Sequence, residues 1–348
     1  MLNKLLKLLI CCFLLVNLFG CDKKGEEVEP IGEVPEEKEP KEDKTEETGE
    51  PTVTEETVTE EPVEETVDEV DEHTKFLFSY EDDNADYTDD VPHRYRSVKS
   101  ELKKAQRYGT DSEYIPSLDG FYNTKMSGSA QFSADQFDTL VSMLKDLAGG
   151  NNICIVDLRQ ESHLFIDGVS VSWTGSNEGL STDEVMAAES ELEEELKVAL
   201  PDSEIKSEKE LVEEYGLSYV RFASKDSAFP TETMVDEFLD FAKNTSKSTW
   251  LHFHCKEGKG RTTVFMTMYD IYRNNSVSLK DIAYREYCIG GQYVLYDGCN
   301  EDIESPNRPV YAEREEKTRL FYDYMHSTER KKGMSWTDWY EDNKDNYK

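Results

Sequence analysis

Positive charge is scarce in this chain of 348 residues: 39 Lys and Arg stand against 75 Asp and Glu, a formal net charge of −36. No basic stripe with interleaved aromatics occurs, so nothing supports nucleic-acid binding, which draws its affinity from phosphate neutralisation. Cysteine is also sparse, with seven in all. Setting aside Cys11, Cys12 and Cys21 near the N-terminus leaves Cys154, Cys255, Cys288 and Cys299. These form no CxxC and no metal-ligand spacing, so a zinc site is not expected; no other metal and no cofactor is expected either. An oxidising setting would allow Cys288 and Cys299 to pair, with buried free thiols as the default. The apolar run from Leu8 to Phe19 is too short for a comfortable membrane span.

That run, preceded by Lys4 and Lys7, has instead the proportions of a signal peptide. Leu18-Phe19-Gly20-Cys21 resembles the bacterial lipoprotein cleavage box, in which the cysteine is lipid-modified. The resemblance implies a signal peptide over 1–20, a lipid on Cys21, and an exported protein anchored to the bacterial membrane and facing outside the cytoplasm. Ordinary secretion, with Cys21 a bystander, is the alternative. From Asp22 to His73 there are 23 acidic residues against five lysines, a net −18 and half of the chain's total. Without aromatics or apolar periodicity this stretch buries too little surface to offset chain entropy, so 21–73 is expected to be an acidic, disordered tether. The folded part is expected over 74–348, starting near Lys75-Phe76-Leu77-Phe78.

Beyond it, strand and helix patterns alternate. Ser100 to Tyr108 reads as a short helix and Ser127 to Phe132 as a strand-like stretch. Ser133 and Gln136 form a capping box for an amphipathic helix that Gly149-Gly150 stops. Ile153-Cys154-Ile155-Val156 reads as a buried strand, and Phe165 to Trp173 as a hairpin turning at Asp167-Gly168. Ser181 with Glu184, and Ser207 with Glu210, cap two more helices, the second ended by Gly216. Tyr219 to Ala223 alternates as a strand, and Thr231 to Lys243 is an amphipathic helix. Leu279 to Tyr287 and Val310 to Met325 read as late helices. The alternation predicts an α/β fold around a largely parallel sheet, with its ligand at the carboxyl ends of the strands.

The stretch Thr249 to Thr263, TWLHFHCKEGKGRTT, concentrates the chemistry. A short apolar strand breaks into a glycine-containing loop, and a helix follows from Arg261. Strand, loop and helix N-terminus form an anion cradle, because backbone N–H groups and the helix dipole converge there. Cys255 at its start is a nucleophile as the thiolate, a form favoured by cations and helix N-termini. Arg261 at its end carries a planar fork able to grip two phosphate oxygens. Asp226 lies 29 residues before Cys255 on a loop ending in Phe229-Pro230, and a loop carboxylic acid facing the thiolate can protonate a departing ester oxygen.

His254-Cys255, five residues, Arg261 and Thr262 resemble the signature loop of the cysteine-dependent, protein-tyrosine-phosphatase-like phosphatases. Asp226-Ser-Ala-Phe-Pro-Thr-Glu followed by an apolar helix and Trp250-Leu-His-Phe-His-Cys is similar to one branch, the phosphatase-like phytases. Ser127–Phe132, Val156–His163, Val171-Ser172-Trp173, Tyr284-Arg285, Ile289-Gly290-Gly291 and Phe321-Tyr322 add matches, so the resemblance covers roughly 90 to 345. It implies a phosphatase-like sheet flanked by helices, with a small β-rich inserted subdomain. It also implies cysteine-dependent hydrolysis of myo-inositol hexakisphosphate and lower inositol polyphosphates through a phosphocysteine. Cys255 would be nucleophile, Arg261 the phosphate clamp, Asp226 the acid, Thr262 a donor to sulfur and His254 an orienting residue. The loop residues Lys256, Glu257, Gly258, Lys259 and Gly260, with Asp157, Arg96, Tyr311 and Lys225, would contact substrate.

The sequence departs from the branch in places. Lys256 and Lys259 make the loop more basic, similar to dual-specificity phosphatases acting on phosphoinositides. Asn307, followed by Arg308, stands about where a family lysine is expected, and the segment after Trp173 lacks a family histidine. A polyphosphate approaching a chain of −36 needs a local basic pocket, for which Lys225, Lys256, Lys259, Arg261, Arg159, Arg94, Arg96 and Arg308 are the candidates. A protein-tyrosine or lipid phosphatase, and a catalytically silent phospho-ligand module, are the competing readings.

Overall fold

The computed structural model describes residues 72–175, 177–299 and 305–347. The expected signal peptide, Cys21 and nearly all of the expected tether lie outside the described residues. A helix α1 (Glu72–Leu77) opens the described chain and buries Leu77.

Two sheets follow. The larger has the order β2 (Arg96–Ser97), β3 (Met126–Ser129), β9 (Trp250–His254), β4 (Ile153–Arg159) and β8 (Ser218–Ser224). All its neighbours are parallel except β2 against β3. Every residue of β4 and β9 is buried, as expected of parallel strands covered on both faces. Central β9 therefore delivers its carboxyl end to the middle of the sheet, where ligands bind in α/β folds. The smaller sheet is antiparallel, in the order β1 (Glu81–Asp82), β6 (Val169–Trp173), β5 (Ser162–Ile166) and β7 (Ile205–Lys206). It is the inserted β-rich part, and Asp167 at φ 51° with Gly168 turns its hairpin as the sequence predicts.

Helices cover the large sheet. α2 (Ala134–Ala148), α3 (Thr182–Ala199) and α4 (Glu208–Glu214) each begin at the predicted capping box. α5 (Glu232–Asn244) and α6 (Gly260–Arg273) flank β9 in sequence, and α7 (Leu279–Cys288) and α8 (Arg308–His326) follow. α6 is buried from Arg261 to Ile271, which makes it the central helix of the domain. One contact permits this: a Cβ on Gly128 would fall 2.6 Å from Thr262 Cγ2, so only glycine lets α6 lie this close to β3.

One expectation fails, and one element was not foreseen. Residues 100–108 form no helix. Their apolar side chains Leu102 and Ala105 pack on Tyr284 and Cys288 of α7, and Lys103 N–H donates to the Cys288 carbonyl at 2.8 Å. Tertiary pairing captures the backbone donor that a helical turn needs. After α8, α9 (Thr328–Lys331) leads into α10 (Trp336–Asn343), which buries Trp336 and Trp339. Asp236 of α5 accepts the Trp336 and Thr337 backbone N–H groups at 2.7 and 3.0 Å. Trp336 packs against Phe229, Phe321 and Tyr324. Cys154, Cys255 and Cys288 are buried free thiols. Among the described residues no helix is long and apolar enough to cross a membrane.

Candidate active site

Between His254 and Gly260 the chain turns through a loop that rests on β3. Gly258, at φ 67°, is its tightest point: a Cβ there would meet Ala130 N and Ser129 C at 2.3 Å. α6 starts on Lys259 with no side-chain cap, so its first N–H groups are left for an external acceptor. Cys255, 1 % exposed, sits at the loop's start, and Thr262 Oγ1 donates to its Sγ at 3.2 Å. Ser127 and Ser129 grip the two nitrogens of His252 at 2.9 and 3.1 Å, fixing the strand beneath the loop.

Arg261 is held by its end. Nη1 and Nη2 donate to the two Glu161 oxygens at 2.6 and 2.9 Å. Burial alone would push the Glu161 carboxyl up, but Arg261 and then Arg159 hold it well below the ordinary range. The same pair, against burial, raises the Arg261 pKa further, so its charge is permanent. Glu161 uses one edge of the guanidinium, leaving Nε and the second Nη2 hydrogen on the other. Asp226 Oδ1 lies 3.2 Å from Nε, yet Nε lacks an aligned hydrogen bond. That edge, facing Asp226 but without an aligned hydrogen bond, is what a phosphate would take. Asp226 itself is 71 % exposed, on a loop anchored by Phe229 against Phe321 and Trp336.

Behind Cys255 the interior is polar. His254 is fully buried, with Nε2 2.6 Å from Glu208 Oε1 but without hydrogen-bond alignment, and with Phe132 against its ring. Burial would raise the Glu208 carboxyl, but His254 and His163 hold it well below the usual range. His254 is thus placed to orient the loop, away from the cavity. Asp157 is in this network and not in the cavity, contrary to expectation. It accepts from Tyr219 at 2.8 Å and from the Arg159 backbone at 2.8 Å, and pairs with Arg221 at 3.1 Å. Asp157, His163 and Glu208 bring ligand atoms within 4.8 Å of one another. Arg221, Tyr219 and Gln131 already occupy those oxygens, so a dication there would displace existing donors beside a buried guanidinium.

Arg96, expected to contact substrate, lies outside the cavity lining. It is 1 % exposed and donates to the Gly258 carbonyl at 2.7 Å and to Thr263 Oγ1 at 3.0 Å, supporting the loop from below. Desolvation lowers its pKa to about 10, the nearby Glu286 opposing.

The cavity above the loop measures about 630 Å³ and is lined by Cys255, Arg261, Asp226, Lys256, Glu257, Lys259, Gly260, Lys225 and Tyr311; Gly258 is buried under it. Gln160, Glu161, Ser227, Gln292, Glu178 and Asn177 line it too and were not foreseen. The expected basic pocket is smaller than predicted. Arg159 is buried between Asp83 and Glu161, Arg94 pairs with Glu257, and Arg308 pairs with Asp297. Of the eight cations proposed, Lys225, Lys256, Lys259 and Arg261 reach the lining, balanced by Glu161, Glu178, Asp226 and Glu257. Lys225 pairs with Glu178 at 2.6 Å. Lys256 reaches the small sheet, with Glu81 at 2.8 Å and Asp83 at 3.4 Å; against burial, those carboxylates raise its pKa. Arg314, 1 % exposed, lies over the Tyr311 ring at 4.7 Å with Nε and Nη2 unpartnered. Its position three residues after Tyr311, one helical turn, was the available signal for it.

The family model PTPlike_phytase, described by "Inositol hexakisphosphate", matches residues 182–273. The tandemly repeated protein tyrosine phosphatase-like phytase of Mitsuokella multacida superposes with a TM-score of 0.67 at 31% identity, over 75% of this chain and 48% of that one. The PTP-like myo-inositol phosphatase of M. multacida, in complex with myo-inositol-(1,3,4,5)-tetrakisphosphate, gives 0.66 at 31% identity with the same coverage. Effector protein hopD2 of Pseudomonas syringae pv. tomato is 27% identical over 248 residues, 63% of this chain and 52% of the effector. The chain thus spans about half the length of these relatives.

Proposed function

We propose that the chain is a member of the protein-tyrosine-phosphatase-like phytase family, which its matches support, and that it hydrolyses phosphomonoesters of inositol polyphosphates through a phosphocysteine. The observation that carries the proposal is the meeting of Cys255, Arg261 and Asp226 in one cavity, with Thr262 Oγ1 3.2 Å from the sulfur. Cys255 Sγ attacks phosphorus while the ester P–O bond breaks, and the leaving oxygen takes a proton from Asp226. The Nε edge of Arg261 and the uncapped N–H groups of α6 hold the equatorial oxygens as charge shifts onto them. Water then attacks the phosphocysteine and gives its proton to the Asp226 carboxylate. The P–S bond breaks, and Thr262 receives the departing thiolate with a hydrogen bond. The relative solved with an inositol tetrakisphosphate supports this substrate class.

A second reading, a phosphoprotein phosphatase, draws on the equal number of carboxylates and cations in the lining, which suits one phosphate better than six. Time-resolved product profiling of inositol hexakisphosphate decides between them, beside a phosphotyrosine peptide and with Cys255→Ser as control. Stepwise loss of phosphate abolished by Cys255→Ser is expected. Far faster turnover of the peptide overturns the inositol reading, and no turnover of any ester overturns both.

A further inference from the structure

A second cavity, about 680 Å³, lies outside the site described above and shares no lining residue with it. Its volume is in the range of about 300–1,000 Å³ typical of small-molecule sites. Lys103, Lys104 and Arg107 line it together with Tyr108, Tyr287 and Gly290, and Glu101 is its one carboxylate. This reverses the sign of the chain locally: residues 94–107 hold six basic residues and one acid, in a protein of −36. Lys104 pairs with Glu113 at 2.8 Å, but among the described residues neither Lys103 nor Arg107 has a carboxylate partner.

The cavity is built rather than incidental. The segment that carries the cations is fixed by the Lys103 N–H bond to Cys288 and by Leu102 and Ala105 packed on α7. Tyr108 is held at φ 64°, a conformation that strains a non-glycine residue and persists only where surroundings enforce it. Its ring lies 5.6 Å from Tyr287 and 4.7 Å from Tyr296, and Tyr296 is 6.0 Å from Tyr311 in the catalytic cavity. A Cβ on Gly290 would stand 3.8 Å from Arg96 Cδ, so the floor backs onto the side chain that supports the catalytic loop.

We propose that this cavity is a second binding site for a multiply phosphorylated inositol ring, with phosphates held by Lys103 and Arg107, occupied together with the catalytic loop. That it takes a polyanion rests on the cavity alone; that the polyanion is a phosphorylated inositol rests on the function proposed above. The ring could be free in solution or be the headgroup of a phosphoinositide, and the experiment separates the two.

Inositol hexakisphosphate is titrated calorimetrically into the full chain carrying Cys255→Ser, and into the same chain carrying Lys103→Ala and Arg107→Ala as well. Two molecules per chain are expected in the first, and in the second one site weakened by about tenfold per cation removed. In the chain with Cys255 intact, Lys103→Ala with Arg107→Ala leaves p-nitrophenyl phosphate turnover at the parental level, showing that the variant is folded. Flotation on vesicles containing phosphatidylinositol 4,5-bisphosphate that is lost with Lys103→Ala and Arg107→Ala, with one soluble molecule bound per chain, also supports the site and assigns it to a headgroup. One molecule per chain, removed by Arg261→Ala and unaffected by the double variant, with no vesicle binding, overturns the second site and leaves the proposed function standing. No binding of inositol hexakisphosphate to either protein overturns both.

Discussion

Replacing Glu161 by Gln tests the idea that the phosphate clamp is positioned by a carboxylate in the cavity wall. Glu161 accepts from Arg261 at 2.6 and 2.9 Å and from Arg159 Nε at 3.1 Å, with its side chain 14 % exposed. Glutamine keeps the shape, but removes the charge and turns an NH2 toward an N–H of Arg261. Breaking one side of a buried ion pair costs about 3–5 kcal/mol. Arg159 keeps Asp83 at 2.7 Å, and the residual exposure softens the loss, so about 3 kcal/mol is expected. The larger effect is on catalysis: a guanidinium free to rotate no longer presents its Nε edge to the equatorial oxygens, comparable with losing one oxyanion donor, about 10²–10³ in kcat. Because the Glu161 pKa is lowered on folding, its stabilisation is present above the unfolded value of about 4.3 and is lost as pH falls through the folded value. The difference in melting temperature between parent and Glu161→Gln therefore narrows in acid. Turnover of p-nitrophenyl phosphate and thermal melts from neutral to acid pH check both parts. Parental kcat in a folded Glu161→Gln protein refutes the reasoning.

Two further substitutions separate the remaining roles. Asp226→Asn should lower kcat on inositol hexakisphosphate by about 10²–10⁴ but lower p-nitrophenyl phosphate turnover much less, since that leaving group departs without a proton; equal losses on both remove Asp226 as the acid. Gly258→Ala places a methyl 2.3 Å from the backbone of Ser129 and Ala130 at φ 67°, so the loop must move, and a shift near 1 Å costs about 10² in kcat; steady-state kinetics with a circular-dichroism check of folding would expose an unaffected enzyme.

The elements set by local rules were legible in the sequence. The Ser133–Gln136, Ser181–Glu184 and Ser207–Glu210 boxes begin α2, α3 and α4, because a cap bond spans three residues and needs nothing from afar. The run from Trp250 to Arg261 gave strand, loop and helix for the same reason: each signal is contained in a dozen residues. Residues 100–108 misled, since their pattern is helical while their partners lie some 180 residues later on α7. Trp336 and Trp339 were overlooked because one short helix has too few turns to display a periodicity.

The same division runs through the site. By itself the sequence determined the cradle: a cysteine, an arginine and a glycine-bearing loop between strand and helix, a set that admits few uses other than phosphate. Only the tertiary structure decided what surrounds that loop. It turned Arg96 and Asp157 inward, gave Glu161 to Arg261, and sent Lys256 to Glu81 and Asp83 on the small sheet. The charges that tune a buried site interact across β-sheet crossovers of tens to more than a hundred residues, and no local pattern in the chain records which carboxylate faces which guanidinium.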